Sequence, residues 1–102
     1  MSETQLNHPA LVLYRISIHG RVQGVFFRAS ARQQAQALGI TGIIRNEADG
    51  SVYAEAEGKE EAVQQFIQWC RHGPEGAVVT SITAEKSAPK GYTAFEVIRG
   101  LQ

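Results

Sequence analysis

A second cysteine is missing from this sequence, and its absence removes two possibilities at once: Cys70 has no partner for an intramolecular disulfide, and no thiol pair exists to hold a metal. A reducing, cytoplasmic setting is expected. Net charge is missing too. Lys and Arg total 10, Asp and Glu total 10, and the formal charge is +0, so the chain as a whole has neither the footprint of a nucleic-acid binder nor a polybasic membrane anchor. No apolar run approaches the roughly 20 residues that cross a bilayer, and the polar residues 1–7 lack the basic-then-apolar pattern of a signal peptide. No membrane partner is expected. What is present is an ordinary globular composition, 43% hydrophobic and 20% charged over 102 residues. That is enough for one core and too little for two.

Residues 1–9 show no periodicity and end in Pro9, which predicts a mobile leader followed by a single domain over residues 10–102. Residues 11–19 alternate, with Val12, Tyr14, Ile16 and Ile18 on one side and Arg15, Ser17 and His19 on the other, the period of a half-buried strand. The period then changes. Phe27, Ala31, Ala35 and Leu38 recur at helical spacing, and Gly39 supplies a C-terminal cap. Residues 40–46 are rich in β-branched side chains, residues 48–50 are turn chemistry, and residues 51–57 alternate Val52, Ala54 and Ala56 with polar residues, which together predict a hairpin. After Gly58, a second helix is expected, with Glu60 and Glu61 in its first turn and Val63, Phe66, Ile67 and Cys70 on its apolar face. His72-Gly73-Pro74 ends it. Residues 77–86 predict a strand, residues 87–91 a loop, and residues 94–99 a short final strand.

This order is the α+β, ferredoxin-like βαββαβ arrangement, an antiparallel sheet with both helices on one face, extended by a short fifth strand. Its connections place the ends of the first and second strands on the same edge of the sheet. One strand separates them, so they are about 10 Å apart.

At that edge lies Gly20-Arg21-Val22-Gln23-Gly24-Val25-Phe26-Phe27-Arg28, a strand-to-helix connection with two glycines and no acidic residue. Such a segment either simply turns the chain or cradles an anion. In the second case successive amides at Gln23, Gly24, Val25, Phe26 and Phe27 point into one concavity at the helix start, and the Arg28 guanidinium grips two phosphate oxygens. The Lys-Ser/Thr pair of a nucleotide-binding P-loop is absent, which disfavours ATP hydrolysis. Asn46, ending the second strand, is either turn chemistry or an amide that holds a water against a bound phosphate.

These segments, with Gly39-Ile40-Thr41-Gly42-Ile43-Ile44-Arg45-Asn46, Asp49-Gly50-Ser51-Val52 and the Phe66, Trp69, Gly73-Pro74 pattern, resemble acylphosphatase over nearly all of residues 11–99. The resemblance implies a ferredoxin-like fold and hydrolysis of acyl phosphates to a carboxylate and inorganic phosphate. It implies that Arg28 is the phosphate-binding arginine and Asn46 the water-orienting asparagine. Ile43 stands where the family often has tryptophan, and Phe26 at a position the family varies. Neither a metal nor a cofactor is expected. The expected partners are a small-molecule acyl phosphate and inorganic phosphate as product and inhibitor, with the chain acting as a monomer.

Several other residues have structural explanations. His19 fits the exposed face of a strand, Cys70 and Phe66 the core, and Asp49-Gly50 a turn, while Arg45 either adds to the field at Asn46 or faces solvent. Two rival functions use the same fold. An RNA-binding sheet needs exposed aromatics and a basic surface, and although Tyr14 and Tyr53 are available, the Arg/Lys-Gly-Phe/Tyr consensus is not. A regulatory domain that keeps the loop without turnover is separated from the enzyme by a direct assay for phosphate release.

Overall fold

The computed structural model describes residues 10–100, so the expected leader over residues 1–9 lies outside the described residues. The chain runs β1 (Val12–Arg21), α1 (Phe27–Leu38), β2 (Thr41–Asn46), β3 (Val52–Gly58), α2 (Glu60–Cys70), β4 (Val78–Ser87) and β5 (Phe95–Ile98). The five strands form one sheet in the order β4-β1-β3-β2-β5. Four of them are joined by antiparallel pairing of neighbours, and β5 joins β2 in parallel, so the expected antiparallel sheet becomes mixed at its last strand. The reason is topological: β4 lies on one edge, and the chain must cross the sheet to add β5 at the other.

Both helices pack on the face that carries Ile16, Ile18, Ile44, Val52, Ala54 and Ala56. Helix α1 buries Phe27, Ala31 and Ala35, and small residues at i and i+4 let it lie close to the strands. Gly39, at φ 72, caps its end. Helix α2 buries Val63, Phe66, Ile67 and Cys70, and Phe66 meets Phe95 edge to face at 5.6 Å. Strand β1 outlasts its alternating pattern because a bulge between His19 and Gly20 lets it stay paired with β4 as far as Arg21. Only glycine fits there: at φ 128, a Cβ on Gly20 would sit 2.1 Å from the Val78 carbonyl oxygen.

The opposite face differs from what alternation implies. Glu55 and Glu57, the polar positions of β3, are buried, 5% and 3% exposed, beneath the β4–β5 crossing. The backbone amides of Lys90 and Gly91 donate to Glu57 at 2.9 and 3.1 Å. Glu55 accepts from Lys90 Nζ at 2.9 Å, from the Tyr53 hydroxyl at 2.6 Å and from the Tyr92 hydroxyl. Among the described residues, no helix is long and apolar enough to cross a membrane.

Candidate active site

The sheet brings the two candidate segments together through one row of residues. Val52 pairs with Ile18 on one side and with Asn46 on the other, so the end of β2 stands two strand spacings, about 10 Å, from Ile18, three residues before β1 ends.

Val22 and Phe27, each 1% exposed, anchor the two ends of the loop in the core. The Phe27 ring packs edge to face on Trp69 at 5.4 Å. Between the anchors, Gly24 at φ 75 and Phe26 at φ 62 both take left-handed conformations. Such residues curl a chain so that neighbouring N–H groups converge. Phe26 occupies the N-cap of α1 without any side-chain capping bond, and the first turn carries no acidic residue. The amides that begin a helix have no intrahelical acceptor, so here they need an anion or water.

Gln23 fastens this loop to the neighbouring hairpin. Its Nε2 donates to the carbonyl oxygens of Glu47 and Ser51, both at 2.8 Å. The Gln23 side chain is therefore engaged with protein, and what Gln23 can offer an anion is its backbone N–H. The turn is completed by Asp49, whose Oδ1 accepts from the backbone amide and hydroxyl of Ser51 at 2.9 and 2.6 Å. Ser51 thereby holds the Asp49 carboxyl below its usual range. Asn46 takes no part in these bonds. Its Oδ1 is buried and has no hydrogen-bond partner among the described residues.

Arg28, half-buried in the first turn of α1, has one long hydrogen bond among the described residues, from Nη1 to the Ile98 carbonyl oxygen at 3.4 Å. It lines two adjoining hollows that share Arg28, Asn46 and Arg99. The larger, about 450 Å³, adds Gln23, Arg45, Ile98 and Gly100. The smaller, about 330 Å³, adds Val22, Gly24, Phe26, Phe27 and Ala29. Val25 lines neither. Among the described residues no carboxylate lines either hollow, so this cleft is positive on a chain of formal charge +0. Arg45 is partly neutralised, since its Nε bonds Glu47 at 2.6 Å, which raises the guanidinium pKa further, and its Cζ lies 4.6 Å from the Tyr53 ring centre.

Sequence reasoning missed Arg99. It reaches the cleft because β5 runs parallel to β2 with Ile98 opposite Arg45, which puts the next residue level with Asn46. A non-local register of this kind leaves no local pattern. Of the residues explained structurally, His19 lines neither hollow, and Cys70 is buried in the core, where desolvation pushes its thiol pKa up. Among the described residues no three His, Cys, Asp or Glu cluster as metal ligands.

The sequence and the fold have clear counterparts. The sequence model of the acylphosphatase family matches residues 14–97. An acylphosphatase from Gloeobacter violaceus is 49% identical over 82 residues, covering 80% of this chain and 88% of that protein. Among solved structures, an acylphosphatase from Bacillus subtilis aligns with a TM-score of 0.84 at 35% identity, covering 86% of this chain and 99% of that one. One from Coxiella burnetii gives 0.84 at 32% identity, covering 86% and 93%. The chain belongs to the acylphosphatase family, hydrolases of acid anhydrides that act on acyl phosphates.

Proposed function

We propose that this cleft hydrolyses a small-molecule acyl phosphate, with the phosphate held by the amides of Gln23, Gly24, Val25, Phe26 and Phe27 together with Arg28, and the attacking water held by Asn46. The observation that carries this reading is the buried, unpartnered Asn46 Oδ1 in a wall that Arg28 shares. A buried acceptor without a donor costs about 1–3 kcal/mol, and a water donating one O–H to it removes that cost. Held in this way, the water keeps a lone pair free to face phosphorus.

The chemistry then needs little more than position and charge. The water oxygen bonds to phosphorus as the bond from phosphorus to the acyl oxygen breaks, and the electron pair leaves with the carboxylate. A carboxylate departs without a proton, so no general acid is required. The water's proton passes to an oxygen of the transferred phosphate. Charge on the equatorial oxygens is met by the Arg28 fork and the loop amides, donors fixed before reaction, which is the largest contribution in most such sites. The same groups supply the positive field that a metal supplies elsewhere, so turnover is proposed to need no metal. Inorganic phosphate, carrying the recognised group, competes with substrate.

The test is hydrolysis of benzoyl phosphate by purified protein in the presence of a chelator. Turnover with competitive inhibition by phosphate is expected. Phosphate binding without turnover would support a regulatory domain, and activity lost to chelator and restored by magnesium would overturn the metal-free mechanism.

A further inference from the structure

Phe26 combines two features that each cost free energy. It is 82% exposed, and its backbone, at φ 62 and ψ 26, lies in a region that residues without a short polar side chain seldom enter. No other non-glycine residue among those described has a positive φ. The ring is not what anchors the loop, since Val22 and Phe27 do that from within the core. It does line the same hollow as Arg28 and Asn46.

Depth separates these residues. Asn46 Oδ1 is buried in the wall of the cleft, while Phe26 lines the same hollow and is largely exposed. In-line displacement at phosphorus puts the entering oxygen and the leaving oxygen on opposite sides. With the water on the buried Asn46, the acyl group leaves toward the exposed side of the hollow, where Phe26 stands. We infer that Phe26 is the contact for the acyl group, and that the enzyme favours acyl phosphates whose acyl portion is apolar and, above all, aromatic. This inference rests on the proposed function and adds to it the substrate class.

The experiment compares kcat/KM for benzoyl phosphate and acetyl phosphate in the wild type, Phe26→Gly and Phe26→Tyr. Glycine accepts the left-handed backbone, and any change it makes to the loop scales both substrates alike. Dividing each variant's value by the wild type's cancels the intrinsic reactivity of each substrate. The Phe26→Gly loss is expected to be about fivefold larger for benzoyl phosphate than for acetyl phosphate, the size of one aromatic pair contact. Phe26→Tyr, which keeps the ring, should hold the ratio within about twofold on the same scale. Equal losses on both substrates, or a tyrosine variant that behaves like glycine, would overturn the assignment of Phe26 alone. If the wild type hydrolyses neither substrate, the proposed function fails and this inference fails with it.

Discussion

Two clusters of buried or half-buried polar groups among the described residues are built on opposite logic. Under the β4–β5 crossing, Glu55 and Glu57 are almost wholly buried, yet each has several donors from Tyr53, Lys90, Gly91 and Tyr92. In the cleft, among the described residues, Asn46 Oδ1 has no partner, Arg28 has one long bond, and the start of α1 has no side-chain cap. The first cluster is satisfied by the fold itself, so its interactions stabilise the fold. The second is completed only when something else arrives, so its interactions are available to a substrate. Burial alone does not distinguish the two; satisfaction does.

That contrast is broken most severely at Arg28. Arg28→Lys keeps the charge but loses the planar two-pronged grip, and kcat/KM is expected to fall about a hundredfold or more. Because its bond to Ile98 is long, stability should change by no more than about 0.5 kcal/mol. Steady-state kinetics and urea unfolding on the same preparation check both halves. A lysine variant with near-normal turnover would reduce the cleft to a simple charge effect. Asn46→Ala comes next. Its kcat should drop by roughly 10- to 100-fold while the inhibition constant for phosphate stays nearly intact, the sign of an interaction made mainly in the transition state. If Asn46 serves only the turn, the variant instead loses about 1 kcal/mol of stability and keeps its turnover.

Much of this contrast could be read in the chain order. The element order and the helix faces follow from local periodicity, and the meeting of residues 20–28 with Asn46 follows from the connection rules of a βαβ unit. Three things did not follow. Arg99 depends on a parallel register between β5 and β2, which are distant in sequence. The burial of Glu55 and Glu57 depends on a crossing that passes over the sheet, so alternation reported which face they lie on without reporting what covers it. The Gln23 side chain, which ties the loop to the hairpin, lies in the loop motif itself, and its bond to the Glu47 and Ser51 carbonyls is a three-dimensional fact.

The satisfied cluster is broken at Glu55. Burial pushes its carboxyl pKa up, but bonds from Tyr53, Tyr92 and Lys90 outweigh burial and hold it at about 2 against an ordinary 4.5. A carboxyl held low in the folded state contributes its full stability above the ordinary value and loses it as pH falls toward about 2. Tyr53 and Tyr92 are pushed to about 12, by burial first and then by their bonds to Glu55. Their contribution is therefore complete below pH 10.0 and lost as pH rises through about 12. Glu55→Gln should lower stability by about 2 kcal/mol near neutrality, flatten the acid limb of stability against pH, and leave the turnover of the folded fraction within about threefold. Urea midpoints measured across pH test this, and a variant that loses turnover without losing stability would move Glu55 into the machinery of the cleft.

The smallest expected effect gives the finest test, because it sets two arginines of one cleft against each other. Arg45 is paired with Glu47 and stacked on Tyr53, whereas Arg99 lines both hollows with no carboxylate within ion-pair distance among the described residues. If unsatisfied charge is what serves the substrate, Arg99→Gln should raise KM by about threefold at low ionic strength and by much less at high, since salt screens an exposed charge. Arg45→Gln should move KM less and cost more stability, about 0.5–1 kcal/mol from the lost pair and stacking. KM at two ionic strengths and one unfolding curve per variant are enough. The opposite ranking, with Arg45 governing KM and Arg99 governing stability, would show that a partnered guanidinium still reaches the substrate and that satisfaction does not divide the cleft from the crossing.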